Sequence, residues 1–179
     1  DNFYHSNVRV GKDGSPRAIH DRSHRNADIA TYMSAAEYIC SSGGFALRVG
    51  WGVEGELPTK DPRIIDYSRD YRSDFGDIFL AGKCRFFLGS GAGLMAVPVV
   101  LGVPIILTNI LPPRLWPLRK DSFVLPKLLK DKNTDALVPY SVLNSYGLFN
   151  YRREQHKWDD PAMYAAHGLI PIDNSSEEI

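Results

Sequence analysis

Cysteine is nearly absent from this chain of 179 residues: Cys40 and Cys84 are the only two. Two thiols cannot build the disulfide framework of a small secreted domain, and neither lies in a CxxC or Cys/His group with zinc-ligand spacing. A reduced, cytoplasmic setting is expected, with no metal and no cofactor. Net charge is missing as well. Lys plus Arg and Asp plus Glu number 21 each, so attachment to nucleic acid or to anionic lipid is not the main work of the chain. Long hydrophobic runs are also lacking. The longest, Leu94 to Leu107, is interrupted by Pro98, Gly102 and Pro104, and falls short of the ~20 apolar residues of a transmembrane helix. The sequence shows no internal repeat or low-complexity tract, and Asp1 opens in a polar segment unlike a signal peptide.

What is present points to a packed core. Hydrophobic residues make up 44%, too many for a disordered chain, and the length suits one domain over residues 1–179. Residues 1–25 lack a sustained period and read as an irregular N-terminal segment. The chain opens at Asp1 without an initiator Met, and Asn174-Ser-Ser-Glu-Glu resembles the N-cap and first turn of a helix. A fragment of a longer two-domain protein is therefore expected.

From Asn26 onward the spacing of Ile29, Tyr32, Met33, Ala36 and Ile39 predicts a helix, stopped by Ser41-Ser42-Gly43-Gly44. Strands are predicted over 45–49, 63–67, 84–88, 103–108 and 169–172. Helices are predicted over 75–82 and 94–101, and mixed segments around 122–129, 139–150 and 161–167. Apolar strands alternating with helices are what a parallel sheet covered on both faces requires. The expected fold is therefore α/β and Rossmann-like, with strands 45–49, 84–88 and 103–108 side by side.

The sharpest local signal is the strand–glycine loop–helix unit through Gly89, Ser90, Gly91, Ala92 and Gly93. Successive glycines let backbone N–H groups approach an anion, and a helix N-terminus adds its positive dipole end. The loop lacks the Lys-Ser/Thr of a phosphate loop, the third glycine of a dinucleotide fingerprint, and a correctly placed nucleophile-elbow serine. It is either an unspecific anion cradle or a plain tight turn. Arg48, ending an apolar strand, pairs either with a phosphate or with one of Asp66, Asp70, Asp74 and Asp77. Arg25 and Asn26 either cap the first helix or face the ligand edge of the sheet. His5, His20 and His24 read as loop histidines without metal spacing.

Taken in order, these residues resemble a known family. Arg25-Asn26-Ala-Asp28 leads to Tyr32, Ala35 and Tyr38, then to Gly44 and Leu47-Arg48-Val-Gly50. Ile65-Asp66-Tyr67-Ser68, Ser73-Asp74 and Asp77-Ile-Phe-Leu80 follow. Cys84-Arg-Phe-Phe-Leu-Gly89 enters the glycine loop, Gly102-Val-Pro104 leads to Asn109, and Pro126-Lys127 and Asp173-Asn174-Ser-Ser-Glu177-Glu178-Ile179 close the series. The set is similar to the C-terminal, donor-binding part of bacterial glycosyltransferases from surface-polysaccharide (O-antigen and capsule) clusters. Ala92 departs from the family pattern, which prefers Ser there, and so removes a hydroxyl contact to the donor phosphate.

The resemblance implies one half of a GT-B fold, with a nucleotide-sugar donor and a glycan or lipid-linked acceptor as partners. The catalytic base would lie in the other, N-terminal half. Arg25, Asn26, Arg48, Gly89, Ser90, Gly91, Ala92, Gly93 and Asn109 are the expected donor-binding residues. A nucleotide-sugar epimerase or hydrolase of the same fold, and a non-catalytic binding or assembly module, are the alternatives.

Overall fold

The computed structural model describes residues 9–10, 16–17, 25–53, 55–111, 120–148, 158 and 160–179. The expected loop histidines His5, His20 and His24, and most of the proline-rich stretch before Pro117, lie outside the described residues. In the N-terminal segment, strands β1 (Arg9–Val10) and β2 (Pro16–Arg17) form a short antiparallel pair, where an irregular segment is expected.

The helical period from Asn26 becomes a 3-10 turn (Ile29–Tyr32) followed by α1 (Met33–Ser41). Asp28 starts it, its carboxylate accepting from the Ala30 N–H at 2.9 Å, as an N-cap should. Met33 and Cys40 are buried on the inner face of α1 against Ile64. Strand β3 (Ala46–Leu47) pairs in parallel with β4 (Ile64–Ile65), and α2 (Tyr67–Asp70) and α3 (Asp74–Lys83) follow. Ser73 caps α3 by accepting from the Gly76 N–H.

The second half holds the longest strand. β5 (Phe87–Gly89) leads through the glycine loop and a 3-10 turn (Gly93–Met95) into α4 (Ala96–Leu101). Gly102 ends α4 at φ 76°, the left-handed C-cap that glycine reaches without strain, and Val103 N–H closes back on the Pro98 carbonyl at 2.9 Å. β6 (Ile105–Ile110) then runs between β5 and β7 (Phe123–Pro126), parallel to both. Five of its six residues are buried, which explains its near-continuous apolar sequence.

β8 (Leu128–Asp131) and β9 (Leu169–Ile172) form a separate antiparallel pair. With α5 (Tyr140–Ser145) and α6 (Pro161–Ala166) this pair surrounds a core of Leu111, Leu129, Leu143, Leu148, Trp158, Tyr164 and Leu169. Among the described residues no helix is long and apolar enough to cross a membrane.

The fold is thus mixed α/β with parallel pairing, but two expectations about the sheet change. β5 and β6 are side by side as expected, whereas β3 pairs with β4 and no ladder joins it to β5 among the described residues. The N–H groups of Ala46 and Arg48 bond to the carbonyls of Arg63 and Ile65. Alternation along a strand therefore turns the backbone groups of Leu47 away from β4, toward the gap facing β5. The second change is the last strand, β9, which runs antiparallel to β8 instead of joining a parallel sheet.

Gly76 illustrates how closely α3 is held. The Tyr67 hydroxyl accepts from the Ser73 N–H at 2.9 Å and donates to the Ser73 carbonyl at 3.1 Å. A Cβ at Gly76 would collide with that anchored hydroxyl. Gly76→Ala is expected to destabilise the protein by about 1–3 kcal/mol through overpacking. Urea unfolding checks this, with Gly93→Ala as the control. An added Cβ at Gly93 meets no atom within 4 Å, and it should change stability little.

Candidate functional site

The expected site residues fall into four settings. Arg25 and the glycine loop come together: the Arg25 guanidinium donates to the Gly91 carbonyl at 2.5 Å. None of Gly89, Gly91 and Gly93 has positive φ, so the loop does not need glycine for its backbone conformation. Close approach is the reason at Gly91, where a Cβ would lie 3.2 Å from Ile110 Cδ1 and 3.6 Å from the Arg25 guanidinium.

Arg48 is committed elsewhere. Its side chain is 7% exposed and pairs with Asp66 at 3.1 Å, Asp66 being 13% exposed. It also donates to the Gly55 carbonyl at 2.9 Å. Ser68 donates from its hydroxyl to the other Asp66 oxygen at 2.7 Å. This is the salt-bridge alternative for an arginine at a strand end. Of the other aspartates in that stretch, Asp74 and Asp77 pair with Arg72, and Asp70 and Asp74 lie on separate helices.

Asn109 is neither exposed nor free. β6 shifts register against β7 between Thr108 and Ile110, and Asn109 occupies that bulge at φ 55°, a left-handed conformation that asparagine tolerates better than most residues. Its N–H donates to Asn174 Oδ1 at 2.7 Å, and the Asn174 N–H donates to Asn109 Oδ1 at 2.7 Å. The Asn109 amide also donates to the Tyr32 hydroxyl at 3.3 Å. Tyr32 and Thr108 share a hydrogen at 2.7 Å. Burial pushes the Tyr32 phenol above its ordinary pKa, and the negative charge of Asp173 adds to the rise against the hydrogen bonds from Thr108 and Asn109. It is a neutral hydroxyl at physiological pH.

Asn26 is held by a lysine 101 residues further along the chain. Lys127, just past β7, donates from Nζ to the Asn26 carbonyl at 3.0 Å and to Asp173 Oδ1 at 2.5 Å. Its side chain is 3% exposed, unusual for lysine. The visible signal was a lysine directly after a proline that ends a strand, which sequence spacing does not relate to Asp173.

These groups lie at the carboxyl ends of β6, β7 and β9 and beside the end of β5. In parallel α/β folds ligands bind at that edge. A cavity of about 520 Å³ adjoins it, lined by Arg48, Gly89, Ser90 and Ala92 and by the apolar Met33, Ile39, Leu57 and Leu80. It occupies the gap between β3 and β5. Its volume suits a small molecule. Among the described residues no group of three or more His, Cys, Asp or Glu side chains is placed to hold a metal ion.

Fold and site together define a mixed α/β domain with a largely apolar pocket, bounded by Arg48, Gly89, Ser90 and Ala92, beside the carboxyl edge of its parallel strands. No family model, curated protein or solved structure matches the chain.

Proposed function

We propose that this chain is the donor-binding half of a glycosyltransferase of Rossmann-like, GT-B type, which binds a nucleotide-activated sugar for transfer to a surface-polysaccharide acceptor. The observation that carries the reading is the Arg25 guanidinium resting on Gly91, beside a cavity of about 520 Å³ at the carboxyl edge. A guanidinium and a glycine-rich turn leading into a helix suit the phosphates of a nucleotide sugar. The same charge stabilises the departing nucleotide as the glycosidic bond breaks. Arg25 and the Gly89–Gly93 backbone contact the donor in this reading. Arg48 walls the cavity, and Asn109 is held at the same edge by Asn174 and Tyr32.

A thermal-shift panel on the full-length protein tests it, using uridine, guanosine and thymidine diphosphate sugars and a cytidine monophosphate sugar. A ligand present at 100 times its dissociation constant adds about 2.7 kcal/mol of stability. No shift with any of them overturns the reading.

Gly91→Val sharpens the test. Its branched side chain would press on Ile110 and on the Arg25 guanidinium. Affinity for the donor that scores in the panel is expected to fall at least tenfold, about 1.4 kcal/mol. Gly102→Ala, strained at φ 76°, should lower stability by ~1–2 kcal/mol without selective loss of affinity. Equal donor binding in wild type and Gly91→Val would make the loop a turn only.

A further inference from the structure

We propose that Lys127 is a positioning residue for the anion site, fixing the 25–28 segment so that Arg25 meets the glycine loop. The inference rests on reading the carboxyl edge as that site. Lys127 and Asn26 are 101 residues apart in sequence, yet the lysine ammonium bonds the Asn26 carbonyl, and the next residue back, Arg25, bonds the Gly91 carbonyl. Asp173 completes the arrangement from the end of β9. One buried ammonium therefore ties the turn before α1 to the ends of β7 and β9.

A lysine is costly to bury unless its charge is paired. Here the partner is lopsided: Asp173 is 42% exposed while Lys127 is 3% exposed. An ion pair on the protein surface would not need the Asn26 carbonyl. Aiming that peptide unit is the effect that burial of the ammonium produces. Holding the Asn26 carbonyl removes backbone freedom that the 25–28 segment would otherwise have to lose when Arg25 meets the loop. Lys127 acts through Arg25 and does not itself touch the ligand.

The experiment measures binding of inorganic pyrophosphate to the full-length protein by calorimetry, and amide hydrogen exchange without ligand. Lys127→Met and Arg25→Gln are each expected to weaken pyrophosphate at least tenfold. The double variant should bind no more weakly than the worse single one, because both remove the same contact. Exchange at residues 25–28 should rise in Lys127→Met while β6 stays protected. Fully additive losses, or undiminished pyrophosphate affinity in Lys127→Met, overturn the proposal. If wild type binds neither pyrophosphate nor any nucleotide sugar, the functional reading fails. The exchange experiment then decides the tether alone, and unchanged exchange at residues 25–28 refutes it. Should Lys127→Met not fold, Asp173→Asn, which loosens the ammonium without emptying its place, carries the same measurements and outcomes.

Discussion

Arg48→Met is expected to lower the unfolding free energy by about 3 kcal/mol or more, the loss typical when one partner of a buried pair is removed. Asp66 would keep the Ser68 hydroxyl but lose the cation that compensates its charge at 13% exposure. The Gly55 carbonyl would lose its donor as well. Urea unfolding at neutral pH measures the loss, and a change below about 1 kcal/mol would mean that the pair is worth no more than a surface one. The double variant Arg48→Met/Asp66→Leu should recover much of the stability, since an apolar pair of similar volume often equals a buried ion pair. Once folded, it also settles the role of Arg48. Undiminished nucleotide-sugar affinity marks the arginine as structural, and a selective loss of affinity restores it to the ligand.

Asn174→Leu is expected to cost about 2–4 kcal/mol. Asn174 is 2% exposed, and its amide accepts from the Asn109 N–H and donates to the Pro126 carbonyl at 3.0 Å. Leucine fills the volume but leaves one buried donor and one buried acceptor without these partners, at roughly 1–3 kcal/mol apiece. The Asn174 N–H bond to Asn109 Oδ1 could persist, which keeps the estimate below the sum of the extremes. A denaturation midpoint moved by less than the equivalent of 1 kcal/mol would show that the reciprocal pair contributes little. The β8–β9 unit should then loosen independently of β6, which amide exchange would reveal.

Local order was largely legible. The 3.6-residue spacing of Met33, Ala36 and Ile39 announces α1. The helices predicted over 75–82 and 94–101 correspond to α3 and α4, and the apolar run 103–108 anticipates the buried β6, which is observed at 105–110. Ser175 and Glu178, read as a helix start, do form a capped turn, with the Ser175 N–H donating to Glu178 Oε2 at 2.8 Å. In each case residues close in sequence satisfy one another, so pattern is enough.

The site was legible only in part. Arg25, Asn26, Asn109 and the glycine loop were singled out, and the structure brings them to one edge. Lys127 and Asp173 stood in the sequence without assigned roles, and Asn174 only as part of a helix start. Nothing near Lys127 in the chain indicates that its ammonium reaches Asn26, or that an asparagine 65 residues beyond Asn109 answers it atom for atom.

The sequence by itself determined α1, α3 and α4 and the apolar strands near them, because periodicity acts over a few residues. Only the tertiary structure decided that β3 pairs with β4 instead of β5, that β9 turns antiparallel, that Arg48 goes to Asp66, and that Lys127 joins the turn before α1. Strand partners and buried charges are chosen among many residues distant along the chain, and the free energy that selects them comes from burial and pairing in three dimensions.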